Sequence, residues 1–157
     1  MEPTRSLLIL LDQAYDHASW HGTNLKGSIR GVTARQAAWR PGRGRHNVWE
    51  IAVHCAYWKY VARRRILREK RGAFSLEGSN WFLRTGAEGA GIWKADTALL
   101  QEMHALLRDA VVSLEPRDLR RRSATGRWTV LETVQGIASH DLYHAGQIQL
   151  VKLLQGR

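Results

Sequence analysis

The sequence predicts an all-α protein, a four-helix bundle with long connections between its first and second helices and between its second and third. Three observations predict it. Apolar residues recur at three- and four-residue steps in four separate segments, the period of a helix with one buried stripe. Two of those segments open with a polar cap residue followed three positions later by glutamate. No segment alternates apolar and polar residues as a half-buried strand does. Amphipathic helices without strands can bury their stripes only against one another, which makes a bundle the packing solution. At 157 residues and 44% hydrophobic content, the chain has the size of about one ordinary domain, so residues 1–157 read as a single bundle domain.

The first helix is expected from Thr4 to about Trp20, with Leu7, Leu8, Leu11, Ala14, Tyr15 and Ala18 as its stripe, and His21-Gly22 ending it. Residues 22–46 form a long connection punctuated by Gly22, Gly27, Gly31, Pro41, Gly42 and Gly44; it holds a short helix from Thr33 to Trp39, capped by Thr33. The second helix opens at Asn47 with Glu50 three residues on, and its stripe reads Ile51, His54, Cys55, Trp58, Val61, Ala62 and Arg65. It is expected to reach Lys70 or Arg71, where Gly72 stops it. The loop that follows carries Trp81, Phe82 and Trp93 among its glycines, a composition that predicts folding back over the bundle. The third helix spans Lys94 to Leu114 on Leu99, Leu100, Met103, Leu106, Leu107, Ala110 and Val111, and Pro116 ends it. After a basic link, Thr129 and Glu132 form a capping box, and the fourth helix runs to about Leu154 with Val130, Val134, Ile137, His140, His144, Ile148 and Val151 in line.

Lysine and arginine (24) exceed aspartate and glutamate (14) by 10 charges, which favours anionic partners of some kind. The groups Arg63-Arg64-Arg65 with Arg68, and Arg117 with Arg120-Arg121-Arg122 and Arg127, are where a nucleic-acid face would lie. No helix-turn-helix, zinc-finger or RNA-binding signature accompanies them, so they read as a solvated face and nucleic acid is not an expected partner. The single cysteine, Cys55, cannot close an internal disulfide and is expected as a buried, inert thiol in a reducing compartment. The apolar run Leu7 to Leu11 is short, Glu2 precedes it and Asp12 follows, and nowhere do eighteen apolar residues run together. A cytoplasmic protein with no membrane association is the expectation.

Chemistry concentrates on three histidines. His140 and His144 stand one helical turn apart and share a face, from which two imidazoles can reach a single divalent ion. His54 falls in the inner stripe of the second helix and is the candidate third ligand. Three neutral imidazoles leave a coordination position open for water or substrate, the arrangement of a catalytic metal. The alternative is three separate core or surface histidines, each satisfied by a hydrogen bond, and spacing does not choose between these readings. Asp141 and Gln147 either orient the ligands or contact substrate, or else face solvent or a partner helix. His17, His21, His46 and His104 read as surface or capping residues, with His21 the reserve ligand. Trp49, Trp58 and Trp128 read as packing residues in preference to the wall of a pocket.

The segments Asn47-Val-Trp-Glu-Ile-Ala-Val-His54-Cys-Ala-Tyr-Trp58 and His140-Asp-Leu-Tyr-His144-Ala-Gly-Gln-Ile148 resemble the DinB/YfiT-like family of metal-binding four-helix bundles, and the resemblance spans nearly the whole chain. Trp20-His21-Gly22-Thr23-Asn24-Leu25 and Gly78-Ser79-Asn80-Trp81-Phe82 resemble one branch of it. The resemblance implies a divalent metal held by His54, His140 and His144, a pocket at one end of the bundle, and frequent homodimers. Zinc or nickel is the first expectation for the metal, with manganese or iron as further candidates. Some similar proteins are thiol-dependent transferases or isomerases, which implies a low-molecular-weight thiol such as bacillithiol, mycothiol or glutathione as a further cofactor. The function expected is thus a metal-dependent enzyme, a thiol-dependent S-transferase, isomerase or hydrolase acting on a small, anionic molecule. The alternative is a non-catalytic metal-binding or stress-response protein. No catalytic acid, base or cofactor-binding residue is identified from the sequence.

Overall fold

The computed structural model describes residues 3–70 and 72–156. Among them are six α-helices, one 3-10 turn and no strand beyond an isolated bridge between Arg122 and Thr129. In chain order the helices are α1 (Pro3–Tyr15), α2 (Leu25–Ile29), α3 (Ala34–Ala38), α4 (Val48–Leu67), α5 (Gly89–Val112) and α6 (Val130–Leu154), with the 3-10 turn at Asp118–Arg120 between the last two. The four long helices α1, α4, α5 and α6 correspond to the four expected from periodicity. Glu2 and Arg71, invoked in reading the start of the chain and the end of the second helix, lie outside the described residues.

Local sequence explains where most helices begin and end. Asn47 accepts from the Glu50 N–H at 2.8 Å while Glu50 reaches back to the Asn47 N–H, so the capping box that opens α4 is complete. Thr129 and Glu132 do the same for α6, at 3.1 and 2.7 Å. Thr33 caps α3 as expected. Three boundaries differ from the periodic reading. The first helix stops at Tyr15, not near Trp20, because Asn24 draws the chain into a turn: its amide donates to the His17 carbonyl at 2.9 Å and its oxygen caps α2, which the glycine-rich reading missed. Trp20 is left fully exposed. The second long helix ends at Leu67, short of Lys70 and well before Gly72, because Arg68 takes the left-handed region at φ +57° and its N–H closes on the Arg64 and Arg65 carbonyls. The third long helix begins at Gly89, ahead of Lys94, and takes Trp93 out of the loop. Trp93 donates from its indole to the Val32 carbonyl at 2.8 Å and packs edge-on to Trp49, an anchor that outweighs the helix-weakening glycines Gly89 and Gly91. The loop ahead of it passes so close to α3 that a Cβ on Gly86 would lie 2.8 Å from Ala38, at a backbone φ of +94°.

α4 packs against α5 and α6, and α1 closes the ring against α6 and α5. Two apolar clusters fill the bundle. One holds Leu25, Trp49, Val53, Leu100 and Ile148; the other holds Leu7, Leu11, Ile66, Leu107 and Val134. Between them along α4, α5 and α6 sit Lys59, His104 and Asp141, all buried, with Tyr15 from α1 alongside. The Lys59 ammonium donates to Asp141 and to His104 Nδ1 and lies 4.9 Å from the centre of the Tyr15 ring, on which His104 is stacked. Each long helix thus contributes one member to a polar brace through the core. His104 is therefore no surface histidine. Its neighbours Glu102 and Arg108 point the sequence reading outward, but the side chain faces Lys59.

Candidate metal centre

The site begins with the two capped helices. α4 presents His54 two turns past its cap, α6 presents His140 and His144 on adjacent turns, and the α4–α6 contact brings the three rings together. His140 Nε2 lies 3.1 Å from His54 Nε2 and 3.1 Å from His144 Nε2. All three offer a ligand atom within 4.8 Å of the others.

Hydrogen bonds around the rim decide what these nitrogens carry. His54 Nδ1 lies 2.8 Å from the Asn80 carbonyl oxygen, which can only accept, so Nδ1 holds the proton and Nε2 presents a lone pair. His144 Nδ1 lies 2.7 Å from Gln147 Oε1, whose amide nitrogen in turn donates to the Tyr143 hydroxyl at 2.9 Å. This arrangement gives His144 the same tautomer. A neutral His140 can offer a single Nε2 proton to two facing lone pairs, so hydrogen bonding among the three rings leaves one close nitrogen pair unrelieved. Added protons are disfavoured as well: burial pushes His54 down to about 4 and His140 to about 3, and it also lowers His144. A divalent cation takes all three lone pairs at once, and the donor set therefore fits one. His140 Nδ1 is buried with no partner among the described residues, so its tautomer is the one that the protein leaves unfixed.

The loop before α5 builds one wall. Asn80 adopts the left-handed region at φ +64°, which asparagine tolerates better than most side-chain-bearing residues. There its carbonyl meets His54 and its side-chain oxygen accepts from the Trp58 indole at 2.9 Å. Trp81 stacks between His54, at 3.8 Å, and His46, at 3.5 Å. Glu50 ties the loop to α4. It is buried, accepts two bonds from Arg40 and one each from His46 and the Arg84 N–H, and these partners outweigh the effect of burial and keep its carboxyl below the usual range. Asn80 entered the sequence reading only as part of a motif, whereas Trp81 was also one of the loop aromatics expected to fold over the bundle, which it does; a left-handed asparagine beside a tryptophan leaves no periodic signal.

The remaining candidates separate cleanly. Gln147 orients His144, as one of its two expected readings had it. Asp141 pairs with Lys59 on the partner helix α4, and burial lifts its carboxyl to about 6. Cys55 is buried with its thiol pushed up, the inert role expected, although it also comes within 4.8 Å of potential ligand atoms on His140 and Asp141. His17 is exposed on Asp16, and neither it nor His21 approaches the cluster. Trp58 and Trp128 were read as packing residues, yet both line a cavity of about 410 Å³ whose wall includes His140. The sequence hides this because the two side chains converge across α4 and the start of α6. No helix among the described residues is long and apolar enough to cross a membrane. Compared with known families, residues 17–148 match the model of the DinB superfamily. No curated protein and no solved structure matches the chain.

Proposed function

The chain belongs to the DinB superfamily, and from that premise we propose that it is a metal-dependent enzyme, a thiol-dependent transferase or isomerase, or a hydrolase, in which His54, His140 and His144 hold one divalent ion. The observation that carries the reading is the convergence of three Nε2 atoms, two of them forced into the lone-pair tautomer, beside a cavity large enough for a small molecule. Zinc or nickel suits three neutral imidazoles best, with manganese or iron as the alternatives. Such an ion supplies Lewis acidity, favouring thiolate over thiol and hydroxide over water near neutral pH. The chain's own residues do the rest. Asn80 and Gln147 hold two rings in the ligating tautomer, Trp81 fixes the plane of His54, and Trp58 stands edge-on to His54 on the cavity side of the cluster.

The proposal extends to a reducing cytoplasm, which the lone buried Cys55 suits, and to a homodimer, for which the exposed Leu150, Leu153 and Leu154 of α6 offer apolar surface. The test is turnover. Tag-free protein loaded with zinc or nickel is incubated with bacillithiol, mycothiol or glutathione and a panel of small electrophiles, and with esters and amides in the absence of thiol. Metal-dependent turnover that His140→Ala abolishes is expected. Saturating metal binding without turnover of any of these substrates would favour a non-catalytic binding protein instead.

A further inference from the structure

The cavity beside the cluster has a chemical character of its own. Its volume of about 410 Å³ falls within the range of small-molecule sites. Trp58, Ala62, Trp128 and Ile137 make most of its wall apolar, and two indoles on that wall suit an aromatic ring. Gly136 lies on the same wall, where a Cβ would meet nothing within 4 Å, so the absence of a side chain there keeps the space open. His140 closes the inner end.

Two charged residues line the cavity, and they are not equivalent. The Glu132 carboxylate is committed to the α6 capping box, where Thr129 donates to it from its N–H at 2.7 Å and its hydroxyl at 2.8 Å. Arg65 has no counter-ion: its guanidinium lies over Trp58, 5.6 Å from the ring centre, and among the described residues its side chain makes no hydrogen bond and pairs with no carboxylate. An unpaired guanidinium on an otherwise apolar wall favours an anion, and a ligand carboxylate can accept from its outer N–H groups in a charge-assisted pair.

We propose that this cavity binds a planar aromatic carboxylate, with its ring between Trp58 and Trp128, its carboxylate on Arg65, and its far edge directed toward His140. This names the substrate class of the proposed metalloenzyme and rests on that reading for its catalytic meaning. Binding itself does not need the metal. The probe is 2-naphthoate, with 2-naphthalenemethanol as its neutral counterpart and octanoate as its non-aromatic one, each titrated by calorimetry into metal-stripped and zinc-loaded protein. Arg65→Gln is expected to weaken 2-naphthoate about tenfold or more while leaving 2-naphthalenemethanol within about twofold, the loss of a charge-assisted pair. Gly136→Leu, which fills the space without a steric clash at Cβ, is expected to abolish binding of both while thermal unfolding stays cooperative. His54→Ala is expected to leave 2-naphthoate binding intact, so failure of the metal reading is visible separately from failure of the pocket. Absence of 2-naphthoate binding at millimolar concentration would overturn the assignment. So would octanoate binding as tightly as 2-naphthoate, or equal 2-naphthoate affinity in wild type and Arg65→Gln.

Discussion

Lys59→Met is expected to be among the most destabilising single substitutions in the chain. Lys59 and Asp141 are fully buried, and Asp141 Oδ2 accepts from the Lys59 ammonium while Oδ1 has no partner among the described residues. Methionine fills most of the lysine's volume, so the packing change is small and the effect is electrostatic. Asp141 must then stay ionised without a partner or take up a proton. From its ordinary value of 3.8, protonation at pH 7 costs 3.2 units at about 1.4 kcal/mol each, or about 4 kcal/mol. Breaking a buried pair by removing one partner typically costs a similar amount, about 3–5 kcal/mol. The assay is urea unfolding of metal-stripped protein at pH 7, comparing wild type, Lys59→Met, Asp141→Leu and the double variant. The double variant removes both charges and is expected to recover most of the loss, giving a coupling energy of about 2 kcal/mol or more. A Lys59→Met penalty below about 1 kcal/mol, or a double variant no better than the worse single, would refute the argument that the pair braces the core.

The other expectations are more local. Burial pushes His104 from its ordinary 6.5 to about 2, so between those values the unfolded chain binds a proton that the folded one does not, and stability falls with falling pH. From pH 7 to pH 5, wild type should lose about 2 kcal/mol more than His104→Gln in urea titrations, and parallel pH slopes would contradict this. Gln147→Leu removes the acceptor that fixes His144 Nδ1–H; zinc affinity should drop about 10- to 100-fold with little change in stability of the metal-free protein, as competition with a chromogenic chelator will show. Thr129→Ala removes the α6 cap and should cost about 1 kcal/mol in thermal unfolding while leaving the affinity for zinc within about threefold.

Much of the site was legible because it is written in local spacing. The caps at Asn47 and Thr129, each followed three residues later by glutamate, locate the starts of α4 and α6. From those starts the 3.6-residue period turns His54, His140 and His144 inward. What the sequence could not show is pairing across distance. Lys59 and Asp141 are 82 positions apart; Lys59 carries no signal in the sequence and Asp141 fits a ligand-orienting role or a solvent- or helix-facing one, and only when α4 meets α6 does burying both become affordable. His104 was hidden by charged neighbours that point elsewhere. Trp58 and Trp128 each fit a packing role, and the space they share exists only after Gly136 and Arg65 are placed beside them. The start of α5 was obscured for a different reason: Gly89 and Gly91 have low helix propensity, and the bond from Trp93 to Val32 that overrides it is long-range.

The central claim is that His54, His140 and His144 hold one ion between α4 and α6. Elemental analysis of tag-free protein, followed by zinc and nickel titration of the stripped chain, tests it most directly. Wild type is expected to carry or take up about one divalent ion per chain, while His54→Ala, His140→Ala and His144→Ala each lose about 100-fold or more in affinity without unfolding. A wild-type chain that takes up neither ion, or a His54→Ala variant that binds as tightly as wild type, would contradict the account.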